Sequence, residues 1–304
     1  MDFDLQLIMI GVVSGLGLGS IYVLVALGYT IILAASSVFN FAQGALLSVG
    51  AVLAYVLSVE HGVPRLATVF LVILAGALIG VVSELVAVRP FVHHPESLTH
   101  EALVSTLGLG LAITAALEIW FGPNSENVPS YVSSKALRIA DVPVRPIYIA
   151  MVATAMLLTF LLDRFVMKTS LGLVLRALIN DREGATLAGI NPARVIVGAF
   201  ALGGGLACLA GFMVAPVSTA SVFVGDRFAL FGFAAMAIGG YGSFRGAIAG
   251  GLMVGLITGL TPVWFNASLT QPLVFAVLLT VLLVRPAGLF GTAGQFGSAR
   301  LREV

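Results

Sequence analysis

The sequence predicts an all-α polytopic membrane protein with eight or nine transmembrane helices, and three observations carry that prediction. Hydrophobic residues make up 59% of the chain and charged residues 10%, whereas a soluble domain carries about 25% charged residues. Apolar stretches recur from one end of the chain to the other, and a hydrocarbon core of about 30 Å needs roughly 20 helical residues per crossing. Most ionisable residues lie between those stretches or near their ends.

The candidate crossings lie near 5–34, 38–59, 66–88, 102–121, 146–166, 194–215, 244–262 and 271–289. The first follows MDFDLQLIMI, which has two Asp and no Lys or Arg, so it lacks the basic start of a signal peptide and is read as part of the fold. A further apolar segment, Phe228 to Gly240, has 13 residues and ends in Gly239-Gly240. It is short for a crossing, and a broken or re-entrant helix lining a cavity is the alternative to a ninth span.

Lys and Arg near span ends set the orientation. With the short segment crossing, one side holds Arg89, Arg164, Lys168, Arg176, Arg182, Arg194, Arg245, Arg285, Arg300 and Arg302. The other holds Arg65, Lys135, Arg138, Arg145 and Arg227. Ten against five places the N-terminus outside, the C-terminus inside and residues 168–193 in the cytoplasm. Residues 1–304 then form a single transmembrane domain, with 122–145 as the largest external loop, read either as a partner contact or as a solvated connector.

The glycines recur with purpose. Gly11, Gly15 and Gly19 share one helix face, as do Gly251, Gly255 and Gly259, and such strips let helix backbones approach closely in lipid. The pattern reads as packing seams, with sliding of helices during transport as the functional alternative.

Several chemistries are excluded. A formal net charge of +1 offers no basic surface for nucleic acid. The single cysteine, Cys208, forms neither a disulfide framework nor a thiolate metal site, and His61, His93, His94 and His100 all fall in expected loops. Ser243 has no histidine within a span to act as its base. Glu84, Glu118 and Asp163 are expected near span ends, so no acid marks a proton or sodium path at mid-membrane. A catalytic chain is not indicated.

Two uncommitted polar features remain. Asn40 and Gln43 lie in a short break between the first two spans, where bare amides can meet a zwitterionic solute or instead cap the second helix and bond local backbone. With Phe41 and Gly44 beside them, and with Gly239, Gly240 and Gly242 at the second break, they are the candidate substrate-pathway residues. The other feature is TSLGLVLRALINDREGATLAGINPARV, from Thr169 to Val195. Ser170 is expected to cap an amphipathic helix with Leu171, Leu173, Val174, Leu175, Leu178 and Ile179 on its apolar face. Gly184 and Gly189 punctuate it, and Asn191-Pro192 is a helix start. It reads as an interfacial anchor or as a helix that docks on another protein.

At this point the residues resemble a family. Glu183-Gly184-Ala185 followed by Gly189 resembles the EAA loop of ABC-importer permeases, and RALINDREGATLAGINPARV is similar to its variant in LivH-type permeases of branched-chain amino acid importers. GLGLGSIYVLVALGYTIIL, Asn40-Phe41-Ala42-Gln43-Gly44, Ala87-Val88-Arg89-Pro90-Phe91, the run Gly239 to Ala247 and the ending Arg285 to Gly291 match the same family in order. The resemblance departs at Gly184, the second EAA position, and in the external loop.

The resemblance implies a non-catalytic permease subunit that assigns ATPase coupling to Arg176, Asp181, Glu183, Gly189, Ile190 and Asn191. It implies a second, related permease subunit, two cytoplasmic ATPase subunits, an extracytoplasmic solute-binding protein and a prokaryotic plasma (inner) membrane. This chain shows no GxxxxGK[ST] phosphate loop, so ATP and Mg are expected on the partner ATPases and no cofactor on this chain. The implied cargo is a branched-chain or related amino acid. An importer of urea or an amide, a passive channel for a neutral solute and a membrane scaffold are the alternatives.

Overall fold

The computed structural model describes residues 3–91, 98–132, 137–139 and 142–291. Helix α1 (Phe3–Ser36) is followed by α2 (Gln43–Tyr55), which continues as a π-helical turn over Val56–Glu60. Next come α3 (Arg65–Ser83), extended by a π turn at Glu84–Val88, and α4 (Leu98–Phe121). A small antiparallel hairpin, β1 (Leu137–Ile139) and β2 (Val142–Val144), leads into α5 (Pro146–Lys168). Then follow α6 (Ser170–Asn180), α7 (Arg182–Leu187), α8 (Pro192–Val214), α9 (Val224–Gly239), α10 (Phe244–Trp264) and α11 (Thr270–Val284). Among the described residues, eight helices are long and apolar enough to cross a membrane, and α9 is a shorter ninth.

Contacts fix how α9 runs. Its start lies with Tyr148, at the beginning of α5, in one cleft that also holds Val224, Arg227 and Phe228. Its end, Gly239, abuts Gly246 of α10, next to Arg245, which shares a cavity with Asp163 near the end of α5. Tyr148 and Asp163 are 15 residues apart on one helix, about 22 Å of rise. Helix α9 therefore runs the depth of the bundle alongside α5 and antiparallel to α10.

Helix α8 is the most enclosed span and α11 the least. The outward faces carry bare Leu66, Ile119, Phe160 and Leu283, as lipid contact allows. The two glycine strips face each other: a methyl on Gly15 would stand 2.8 Å from the carbonyl oxygen of Gly255, and one on Gly19 3.0 Å from that of Gly251. Helices α1 and α10 thus touch backbone to backbone and gain van der Waals contact where hydrophobicity supplies none.

Three sequence expectations shift. The second span begins at Gln43, not 38, because Gln43 Nε2 donates to the carbonyl of Gly203 at 3.0 Å, halfway along α8, and holds the break at mid-depth. The last helix ends at Val284, not 289, because Leu289 and Phe290 turn back and donate to the Ile238 and Gly239 carbonyls at 2.9 Å each. Glu84 is 1% exposed instead of lying at a wet end. Outside, residues 122–132 are partly ordered: Glu126 exchanges two backbone hydrogen bonds with Ala220, and Arg65 donates to the Tyr131 carbonyl at 2.6 Å. The Tyr131 ring stacks on Phe212 at 4.1 Å, and burial pushes its phenol pKa up.

Candidate functional site

The mid-membrane break is sealed. Asn40 and Gln43 are each 0% exposed. Asn40 Oδ1 accepts from the Ala42 amide at 3.1 Å, an Asx-type turn that caps the chain before α2. Asn40 Nδ2 and Gln43 Oε1 have no hydrogen-bond partner. Around them, Phe39 meets Phe233 and Tyr241 edge-on, and Thr106 of α4 donates to the Phe39 carbonyl and accepts from the Phe41 amide, each at 3.3 Å. Gly44 lies against Gly225 and Ala229 of α9, so no side chain fits between α2 and α9 there. Phe41 alone of this group is exposed.

The second glycine group is also packed. Gly239 sits on the Gly246 backbone, and Gly240, at φ +113°, on the returning backbone of Gly291 and Ala287. Gly242 lies in the same turn. The structure brings Asn40, Gln43 and Gly44 together but separates them from Gly239, Gly240 and Gly242, and none of these lines any of the four cavities described below.

The segment from Thr169 to Asn191 consists of two helices. Thr169, not Ser170, caps α6, because its Oγ1 accepts from the Gly172 amide at 3.1 Å while Ser170 is already inside the helix. Leu175 and Leu178 are buried against the bundle while Leu171 and Leu173 face away. Arg176 is folded back, donating to the Met167 carbonyl at 3.3 Å. Asp181 caps α7 through the Gly184 amide at 2.9 Å. The side chain of Glu183 lies outside the described residues. Helix α7 closes in a Schellman turn: Ile190 donates to Ala185 and Gly189 to Thr186, with Gly189 at φ +85°. Asn191 Oδ1 then accepts from the Ala193 amide at 3.1 Å and starts α8, with Pro192 at its first position. Four residues, Ala188 to Asn191, therefore join α7 to the central span.

The open space lies elsewhere. A cavity of about 390 Å³ is walled by α5 and α10 over α1, among Val23, Met156, Phe160 and Leu252, with Asp163 and Arg245 in its lining. Two separate clefts of about 460 and 500 Å³ share Leu18, Tyr148 and Arg227. A fourth, apolar hollow of about 500 Å³ lies between α3, α5 and α8. Tyr148, at the start of α5, lies over Gly17 of α1. Arg227 is the residue sequence reasoning passed over, counting it only as one external charge. Its signal was an arginine one turn into a short helix whose next turns, Phe228 and Phe231, are aromatic.

Residues 11–284 match the family model described as the branched-chain amino acid transport system permease component. The chain belongs to that permease family. The permease is 28% identical over 291 residues to the high-affinity branched-chain amino acid transport system permease protein LivH of Salmonella typhimurium, covering 91% of this chain and 94% of LivH. It is 26% identical to the corresponding BraD protein of Pseudomonas aeruginosa, over 92% of this chain and 94% of BraD. It is also 25% identical to the ribose import permease RbsC of Haemophilus influenzae, over 87% of this chain and 81% of RbsC. No solved structure matches the permease.

Proposed function

We propose that this chain is the membrane permease of an ATP-driven ABC importer for branched-chain or related aliphatic amino acids. It works in a prokaryotic plasma membrane beside a second, related permease, two cytoplasmic ATPases that hold ATP and Mg, and an extracytoplasmic binding protein. The family match over residues 11–284 supports the cargo, and the construction of α6 and α7 supports the drive.

The observation that carries the reading is the short, fully hydrogen-bonded four-residue link from α7 to α8. Leu187 on α7 is 90% exposed, a bare apolar side chain on the cytoplasmic face with nothing of this chain against it. A partner that grips it moves a short helix locked by the Schellman turn and the Asn191 cap to the most enclosed span. That span carries the Gly203 carbonyl held by Gln43, so displacement at α7 reaches the mid-membrane break. For ATP to drive the cycle, the ATP-bound ATPases must bind one arrangement of this lever better than the other.

The test is substrate-stimulated ATP hydrolysis by the reconstituted complex, wild type against Leu187→Glu and Gly189→Trp. Leu187→Glu alters only a surface side chain, whereas Gly189→Trp also forces a bulky residue into φ +85°. Stimulation by an aliphatic amino acid in the wild type that Leu187→Glu abolishes, with the subunits still co-purifying, is the expected result. No stimulation of an assembled, ATP-hydrolysing complex across a panel of amino acids and amides would overturn the cargo. Unchanged stimulation in both variants would overturn the lever.

A further inference from the structure

We propose that the outer cleft around Arg227 is an entry subsite of the permease, in which the guanidinium receives the α-carboxylate of the amino acid and the apolar floor of the cleft takes its aliphatic side chain. This rests on the amino-acid reading given above.

Arg227 is a cation without an anion. Among the described residues, no carboxylate stands within 4 Å of its guanidinium, and the Phe231 ring lies beside it, 5.6 Å from Cζ to ring centroid. A guanidinium presents its donors in a planar fork that matches a carboxylate bidentately. The wall opposite is the segment from Val217 to Phe223, which brings Ser218, Thr219 and Ser221 to the cleft and is tied down by the Ala220–Glu126 bridge. Hydroxyls both donate and accept, so this wall serves an ammonium group as well as a carboxylate. The floor is apolar and rigid: Tyr22 packs on Phe228 and Phe231 at 5.8 and 5.5 Å, and its hydroxyl bonds to Thr258. A cleft of about 460 Å³ with a few convergent polar groups on an apolar floor is the usual build of a small-molecule site.

The cavity that holds Asp163 and Arg245 shares no lining residue with this cleft, so the subsite stands on the cleft alone. By contrast, the amides at Asn40 and Gln43 are sealed from every one of these spaces.

The experiment measures equilibrium binding of radiolabelled leucine, and competition by leucinamide, on the full permease–ATPase complex in nanodiscs without the binding protein. It compares wild type, Arg227→Gln, Arg227→Lys and Arg138→Gln, which removes a positive charge on β1 away from the cleft. Affinity of the binding protein for each complex, and leucine uptake with the binding protein present, are measured alongside. Arg227→Gln should weaken leucine binding at least tenfold, erase the preference for leucine over leucinamide and raise the KM for uptake. Arg227→Lys should fall between, and Arg138→Gln should match wild type. The subsite is overturned if the wild-type complex shows no saturable leucine binding, if Arg227→Gln binds leucine as wild type does, or if Arg227→Gln weakens only docking of the binding protein, which would make Arg227 a protein contact. Failure of the wild type to take up any aliphatic amino acid overturns the amino-acid reading itself. Normal wild-type uptake with an indifferent Arg227→Gln overturns only the subsite.

Discussion

The break at residues 37–44 and the cleft around Arg227 both put polar groups into an apolar bundle, by opposite means. At the break, two amides are wholly enclosed and each is tied by one atom to backbone, Asn40 to Ala42 and Gln43 to Gly203. In the cleft, a charge stands open with hydroxyls beside it and, among the described residues, no acid paired with it. Irregular backbone at membrane depth is tolerated when it is buried in protein or lines water, and this chain uses the first solution for its break and keeps the second for its mouth. The difference teaches that a conspicuous polar motif in a membrane span can be a structural clasp, while the group free to meet a solute is a single arginine with no motif around it. The two regions should therefore part company under mutation, one failing in stability and the other in binding.

The largest effect is expected where the break is walled in. A side chain on Gly211 of α8 would overlap the backbone of Leu47 and Ala51 in α2. Neither helix can yield without lifting α2 off α8, where Cys208 also donates to the Leu46 carbonyl at 2.9 Å. Gly211→Leu should cost about 3 kcal/mol, read as loss of the monodisperse peak in detergent size exclusion. A well-folded Gly211→Leu would show the clasp to be loose.

Gln43→Leu comes next. It removes the second donor to the Gly203 carbonyl, which the ladder of α8 already pairs, and an intramolecular hydrogen bond of this kind contributes about 0.5–1.5 kcal/mol. The expected readout is a lower melting temperature with an unchanged KM for uptake in the molecules that remain folded. A raised KM at an unchanged melting temperature would break the comparison, since the amide would then be meeting the solute.

Much of this architecture is legible in the sequence, for reasons that differ by region. Asn191-Pro192 announces the start of α8 because a cap and a ring-fixed φ are local properties. The facing of Gly15 and Gly19 by Gly255 and Gly251 follows from two strips of equal period. The depth of the break does not, because it is set by a hydrogen bond spanning 160 positions. The end of α11 was legible in Arg285-Pro286 and Gly288, which cannot continue a helix, whereas the pairing of Leu289 with Ile238 that turns the chain back was not. Thr169 and Ser170 are adjacent hydroxyl residues with equal claim to the cap, and α6 starts one residue earlier than the serine alone would put it. Arg227 was visible only as a charge, because its cleft is assembled from α1, the start of α5 and the 217–224 segment, which are far apart in the chain.

Thr169→Ala tests a smaller term. It removes the cap of α6 and should cost about 1 kcal/mol, lowering the melting temperature slightly. The more telling readout is coupling: α6 holds α7 to the end of α5, so a frayed α6 should reduce substrate stimulation of ATP hydrolysis more than it reduces melting temperature. Equal losses in both would make α6 a passive anchor.

Arg227→Gln should have the smallest effect on stability and is the sharpest test of the contrast. The side chain is exposed and makes no ion pair among the described residues, so its removal forfeits only the contact with the Phe231 ring. Surface substitutions of that kind fall within about 0.5 kcal/mol, and the melting temperature should be that of the wild type. A group that contributes so little to the fold, set over an apolar floor in an open cleft, has its value in what it meets from outside. If Arg227→Gln instead destabilises the permease as much as Gln43→Leu does, the guanidinium is a clasp of the same kind as the amides, and the division between a sealed break and an open mouth fails.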